Sequence, residues 1–193
     1  MEKLELMDEF FAARVDGYDE HMIANVGGCK EGYIQMAQLV PEGSTRILDL
    51  GCGTGLELDE IFKYMPDASV VGIDMTQAML DRLREKHGER DITLICGDYF
   101  TTDFGADKFD CAISFQTMHH FSHEKKTELY AKIRDSLADG GVYIECDYMV
   151  TEQAEEDFYF AENERLRREN NIPDGVFCHY DTPCTVDNQI MLL

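Results

Sequence analysis

Arg46-Ile47-Leu48-Asp49-Leu50-Gly51-Cys52-Gly53-Thr54-Gly55 runs a short apolar strand into a turn with glycine at every second position, and a helical stretch from Leu56 to Met65, ended by Pro66, follows at once. That order places the free N–H groups of a helix N-terminus behind a surface that no side chain obstructs, which suits close approach of a ligand. One or two glycines satisfy an ordinary strand-to-helix turn; three at alternate positions point to a binding loop. The dinucleotide fingerprint G-x-G-x-x-G is not met, because Leu56 stands where its third glycine belongs, and no Gly-Lys pair exists for a phosphate-gripping loop.

The same unit recurs outward along the chain. Ser69 to Asp74 reads as a strand, followed by a helix that Thr76 caps and Gly88 closes, with Met79, Leu80 and Leu83 inward. Ile92 to Cys96 and Phe109 to Phe115 read as the next strands. Ser122 caps a helix carrying Leu129, Ile133 and Leu137, and Gly140-Gly141 turns the chain into a fifth strand, Val142 to Cys146. Such alternation predicts an α/β fold: a three-layer Rossmann-like sandwich whose parallel strands are joined by right-handed crossovers.

Leu4 to Val40 reads as two or three short helices interrupted at Gly17 and Gly27-Gly28. Beyond the fifth strand, Thr151 to Asn170 reads as an acidic helix with Ala154, Phe158 and Ala161 on one stripe, Asn171 to Thr185 as loop, and Val186 to Leu193 as a helix without a closing cap. A chain of 193 residues suits one domain, with a helical lid (1–40), a ligand-binding core (41–150) and a helical C-terminal segment (151–193).

The formal charge of −22 repels nucleic acid and anionic membrane surfaces. The densest basic run, Arg165-Leu166-Arg167-Arg168, sits among glutamates and reads as a solvated helix face. No apolar run reaches membrane-spanning length, and the acidic start does not read as a secretory signal, so a cytoplasmic protein is expected. The seven cysteines contain no C-x-x-C, and Cys96, Cys111 and Cys146 read as reduced, buried small hydrophobes. Cys178-His179 with Cys184 is too loosely spaced for a metal signature.

In an open parallel sheet, ligands sit beyond the carboxyl ends of the strands. The second strand ends in Asp74, placed to accept ribose hydroxyls, and the third ends in Gly97-Asp98-Tyr99, which offers an acceptor for an exocyclic amine and an aromatic face for a purine. Three successive strand ends, each suited to one part of an adenosine, say more than any one alone.

Leu48 to Gly55, Val71-Gly72-Ile73-Asp74, Gly97-Asp98 and the stretch from Asp110 to His120 together resemble the class I S-adenosylmethionine-dependent methyltransferases, over about residues 10 to 150. The resemblance implies that Gly51, Cys52 and Gly53 contact the methionine part of S-adenosylmethionine, with Asp49 near its amino group. It implies that Asp74 holds the ribose, Met75 packs on adenine, Asp98 meets the adenine amine and Tyr99 flanks it. Phe115 and Gln116 would approach the methionine end. Gly17-Tyr18-Asp19 resembles a segment that covers the cofactor in related small-molecule enzymes, making Tyr18 a lid and catalytic candidate and Arg14 a weaker lid candidate. Methyl transfer by in-line displacement needs alignment and water exclusion more than covalent catalysis.

His119-His120-Phe121-Ser122-His123 follows the fourth strand on the expected acceptor side. These histidines are packing residues, or a general base or substrate contact, with His120 favoured; their spacing fits no zinc pattern, and no metal is expected. Asp147 and Tyr148 occupy another acceptor-side position or an ordinary strand end. Among the methionines only Met75 has a positional argument, and Phe10, Phe11, Phe158 and Phe160 read as apolar helix faces.

The family's sheet normally ends in an antiparallel hairpin, and no sixth or seventh strand is visible after Tyr148. A truncated product or an open-edged variant is therefore expected, and an open edge makes a homodimer plausible. The acceptor is expected to be a small molecule, with S-adenosylhomocysteine as the product. The alternatives are a module that binds S-adenosylmethionine or S-adenosylhomocysteine without turnover, an enzyme that modifies the cofactor itself, a basic protein acceptor attracted by the acidic surface, and a nicotinamide enzyme, already penalised by Leu56.

Overall fold

The computed structural model describes residues 3–193. Met1 and Glu2, part of the acidic start, lie outside the described residues. Strands β1 (Arg46–Leu50), β2 (Ser69–Asp74), β3 (Ile92–Cys96), β4 (Phe109–Phe115) and β5 (Leu137–Cys146) form one five-stranded sheet in the order β3-β2-β1-β4-β5. Every pairing in it is parallel. The chain builds outward from β1 to β3, then returns to the other side of β1 with β4. The order therefore reverses between β1 and β4, and a crevice opens beyond their carboxyl ends.

Helices α1 (Met7–Ala12), α2 (Tyr18–Ala24) and α3 (Cys29–Leu39) precede the sheet, α4 (Leu56–Tyr64), α5 (Gln77–His87) and α6 (His123–Ser136) connect its strands, and α7 (Gln153–Glu169) and α8 (Val186–Leu192) follow. Successive side chains of a strand face opposite ways, so β1 sends Ile47 into a core with α3, α4 and α5, and Leu48 and Leu50 into a second core with α6. Both faces of β1 are sealed, and Ile47, Leu48 and Leu50 are fully buried. Burying each such side chain contributes about 1.5–3 kcal/mol.

Local signals are obeyed at some helix ends and overruled at others. Ser122 Oγ accepts the Lys125 N–H at 3.4 Å, capping α6 as the sequence predicts. Thr76 stands at the N-cap of α5 without a capping bond from its hydroxyl; instead its own N–H donates to Asp74 at 2.7 Å. Gly88 ends α5 with φ of −60°, a right-handed conformation that does not require glycine. Gly140-Gly141 is a bulge inside β5 and not a turn before it, since the register slips between Phe109 and Cys111.

The expected stripe on α7 is not the buried one. Ala154, Phe158 and Ala161 are exposed, while Glu156 and Leu166 face inward. Polar partners outcompete the apolar pattern here: Glu156 accepts the Thr185 N–H, an Asn188 amide N–H at 2.8 Å, and lies 2.9 Å from His123. Within the basic run, Arg165 pairs with Glu162 and Glu169 along the helix, but Arg167 donates to Pro173 and Val176 carbonyls and pins the following loop. Cys111 is buried and Cys146 half-buried, whereas Cys96 is exposed at the end of the edge strand β3.

Two short strands do occur after Tyr148. β6 (Met149–Val150) and β7 (Cys184–Thr185) pair in parallel with each other, apart from the main sheet. Among the described residues β5 pairs with β4 alone. No described helix is long and apolar enough to cross a membrane.

Candidate active site

A cleft of about 660 Å³ lies beyond the carboxyl ends of β1, β2, β3 and β4. Its floor is the glycine turn, where Gly51 has φ of +76° and Gly53 φ of +45°, left-handed values that glycine adopts without strain. A Cβ on Gly51 would lie 2.7 Å from both Thr117 Oγ1 and Tyr99 Oη, so the strand ends close against it. A Cβ on Gly53 would meet only the Gly51 carbonyl oxygen, at 3.8 Å, because the space above it is the cleft itself.

Asp74 lines this cleft from the end of β2, accepting the Gly53 N–H at 3.0 Å and the Thr76 N–H at 2.7 Å. Burial raises its carboxyl above the usual range despite those bonds. Asp98 lines it from beyond β3. Partial burial opposes its charge, but the Thr101 hydroxyl and the Thr101 and Phe100 N–H groups hold its carboxyl below the usual range. Met75, Tyr99, Phe115 and Gln116 complete the lining already expected from the sequence. Gln116 holds φ of +52° and donates its N–H to the Cys146 carbonyl at 2.8 Å, a strained conformation at the point where the strand order reverses.

Asp49 and Cys52 stand apart from this lining. Both are buried behind the turn, Cys52 with its sulfur against Gly72. Asp49 sits beside the buried Glu57; burial pushes Asp49 up to about 7 and Glu57 well above the carboxylate range. Two charges so close and so buried are disfavoured, so Glu57 is neutral and the negative backing of the glycine turn is Asp49's where it is ionised.

A second cleft, of about 1360 Å³, adjoins the first and shares Phe11, Tyr18, Gln116 and His120 with it. Tyr18 begins α2 and is held over the crevice by its neighbour: Asp19 accepts from the Thr54 hydroxyl and pairs with Lys86 at 3.2 Å. Burial raises the Tyr18 phenol, keeping it neutral. Arg14 borders only the second cleft, stacked on Phe10 and paired with Glu5.

His119 and His120, after β4, line this second space. His119 donates its backbone N–H to Asp147 at 2.9 Å, and its Nδ1 is hydrogen-bonded to the same carboxylate. Burial disfavours the His119 cation, but Asp147 and Asp181 outweigh it and hold the ring at about 9. His120 is pushed down to about 3 by burial and by the neighbouring His119, and so is neutral. Tyr148 approaches His119 edge-on.

The sequence reading missed several lining residues. Phe11, read as part of an apolar helix face, borders both clefts, and Met7, Met79, Phe100 and Phe121 line the first. Phe177 enters the first cleft, and His179 and Asp181 the second, from the loop after α7. That loop is clasped to the N-terminal segment by the Met7 N–H to the Phe177 carbonyl and the His179 N–H to the Glu5 carbonyl, both 3.0 Å. Hydrophobic spacing marked Phe11 as part of an apolar helix face and Met79 as inward; nothing local marks Phe177, His179 or Asp181.

Residues 47–141 match the family model of a methyltransferase domain. These residues are thus a methyltransferase domain, similar to the core of the class I S-adenosylmethionine-dependent methyltransferases. The chain is 27% identical over 150 residues to 24-methylenesterol C-methyltransferase 2 of Arabidopsis thaliana, covering 75% of this chain and 40% of the relative. It is 31% identical over 111 residues to a carboxy-S-adenosyl-L-methionine synthase of Campylobacter fetus, covering 56% of this chain and 47% of the relative. A putative O-methyltransferase from Nostoc punctiforme superposes with a TM-score of 0.70 at 21% identity, over 97% of this chain and 53% of that chain. The chain thus spans less than half the length of these two curated relatives.

Proposed function

We propose that this methyltransferase binds S-adenosylmethionine in the first cleft and passes its methyl group to a small-molecule acceptor in the second. The observation that carries this reading is the junction of the two clefts, where Phe11, Tyr18, Gln116 and His120 face both. When bound, S-adenosylmethionine supplies a methyl group made electrophilic by its sulfonium. The residues present fit that group. Asp74 retains carboxylate lone pairs to accept from ribose hydroxyls, Asp98 to accept from the adenine amine, and Met75 and Tyr99 supply apolar surface for the base. Gly51 and Gly53 let the methionine part press on the backbone, and Asp49 behind them, where ionised, favours its cationic groups.

Tyr18 and Phe11 cover the junction and exclude water, which an in-line transfer needs. His120 is neutral and faces both clefts, so it contacts the acceptor and offers a ring-nitrogen lone pair that accepts a hydrogen bond from an acceptor O–H or N–H, orienting it without keeping the proton. The second cleft favours a separate acceptor over modification of the cofactor itself, the reading that the carboxy-S-adenosyl-L-methionine synthase relative suggests. The unpaired side of β5 supports a homodimer joined along that edge, checked by sedimentation equilibrium.

The test is calorimetric titration with S-adenosylmethionine, S-adenosylhomocysteine and NAD in parallel, followed by transfer of labelled methyl to a panel of small acceptors. Binding of the first two, no binding of NAD, and label on an acceptor are expected. Tight NAD binding, or S-adenosylmethionine binding with label only on cofactor-derived products, overturns it.

A further inference from the structure

We propose that His119, His120 and Asp181 form a divalent transition-metal site in the wall of the second cleft. The sequence separates Asp181 from the histidine pair, and the fold returns it to them: Thr182, the next residue, donates both its N–H and its hydroxyl to the His119 carbonyl at 2.7 Å. Asp181 Oδ1 then lies 3.4 Å from His119 Nε2 and 3.7 Å from His120 Nδ1, with His179 Nε2 at 3.9 Å. One potential ligand atom from each of His119, His120 and Asp181 falls within 4.8 Å of the others. Donors around a tetrahedral zinc ion stand about 3.3 Å apart, so the two Asp181–histidine separations need a contraction of only a few tenths of an ångström, and the histidine pair, within 4.8 Å, at most about 1.5 Å.

Two further observations point to a cation. Asp181 Oδ1 is buried with no well-formed hydrogen bond, facing imidazole nitrogens of His119, His120 and His179 at 3.4, 3.7 and 3.9 Å, where a divalent cation would replace the proton that pairs His119 with it. His119 already has the arrangement of a ligating histidine: its Nδ1 is bonded to Asp147, leaving Nε2 directed at Asp181. Two imidazoles and one carboxylate, with His179 in reserve, suit zinc, iron(II), cobalt(II) or nickel(II) better than calcium or magnesium. The carboxylates Asp147 and Asp181 balance a divalent charge.

His120 and Asp181 line the second cleft, so a remaining coordination position faces it. If the proposed methyl-transfer reading holds, that position takes an acceptor oxygen; ligation through His120 Nδ1 would replace its 3.3 Å donation to the Tyr180 carbonyl and move the ring proton to Nε2. The metal assignment itself rests on the side-chain geometry alone. A second cluster, His123, Glu156 and Cys184, has the same bare composition. There, however, the Lys126 ammonium stands 3.1 Å from the Cys184 sulfur and Glu156 is held by Thr185 and Asn188, leaving little room for a cation.

The full chain, stripped with a chelator, is titrated with Co²⁺ alone and followed by visible absorption, with zinc competition as a second readout. One bound cobalt per chain with ligand-field bands is expected. Asp181→Ala and His119→Ala should each weaken binding at least tenfold, and Cys184→Ser should leave it unchanged. S-adenosylmethionine titration and thermal melting show whether each variant is folded; if Asp181→Ala is not, Asp181→Asn and His179→Ala replace it. Absence of ligand-field bands, unchanged affinity in the Asp181 and His119 variants, or a thiolate-to-cobalt charge-transfer band lost with Cys184 overturns the proposal. Cobalt binding without S-adenosylmethionine binding would overturn the methyl-transfer reading and leave the metal site standing.

Discussion

Gly53→Ala separates the cost of bending the backbone from the cost of filling the cleft. At φ of +45°, an alanine pays for left-handed backbone, about 1–2 kcal/mol, partly offset by a stiffer unfolded chain. No steric charge is added, because the new Cβ would meet only the Gly51 carbonyl oxygen at 3.8 Å. A net loss near 1 kcal/mol lowers the melting temperature by about 2–4 °C in a domain of this size. A bound ligand must, in contrast, give way to a methyl group inside a filled site, at about 1–3 kcal/mol, or roughly 5- to 150-fold in affinity.

Gly55→Ala is the contrasting variant. Its Cβ would press to 3.0 Å from Leu83 Cγ in the core behind the turn. It should lose more stability and keep near-normal affinity when assayed below its melting point. Calorimetric titration with S-adenosylmethionine and S-adenosylhomocysteine, beside scanning fluorimetry, reads both quantities. Wild-type affinity in Gly53→Ala, or a larger affinity loss in Gly55→Ala, would refute the placement of the ligand against Gly53.

Three other outcomes are expected. Asp74→Ala removes the carboxylate offered to the ribose and should weaken S-adenosylmethionine binding by about 1–3 kcal/mol, the range for charge-assisted hydrogen bonds, as read by titration. Asp19→Ala frees the lid from Thr54 and Lys86, so S-adenosylhomocysteine should dissociate several-fold faster in stopped-flow while the fold stays intact. Asp110 accepts the Thr45 and Arg46 N–H groups, and these and the Thr45 hydroxyl hold its carboxyl down at about 2. Because the folded value lies below the unfolded one, its stabilisation is present above about pH 4 and vanishes as pH falls toward 2. With its side chain 31% exposed, Asp110→Asn should cost about 1 kcal/mol at pH 7 after allowing for solvent screening, and almost nothing at pH 2, in urea denaturation.

Strand and helix alternation, the glycine turn and the carboxylates at Asp74 and Asp98 were legible from residue order, because each depends on side-chain periodicity or on groups a few residues apart. The parallel sheet followed from these local units, since a crossover helix between strands admits few arrangements. Reading failed where local preference met a stronger distant partner. The inward face of α7 follows Glu156 and its contacts with α8 and His123, not the apolar residues. Thr76 fails to cap for a local reason: Asp74, two residues before it, takes its N–H, and its hydroxyl makes no capping bond.

Residue order alone therefore specified an α/β layer fold and the floor of the first cleft, since backbone twist and strand ends place neighbours in sequence beside one another. The tertiary structure alone decided its roof and the second cleft. Phe177, His179 and Asp181 come from an aperiodic loop whose position depends on clasps to Glu5, Met7 and His119. No local pattern encodes such contacts between distant segments; they exist only once both segments are packed against the same sheet.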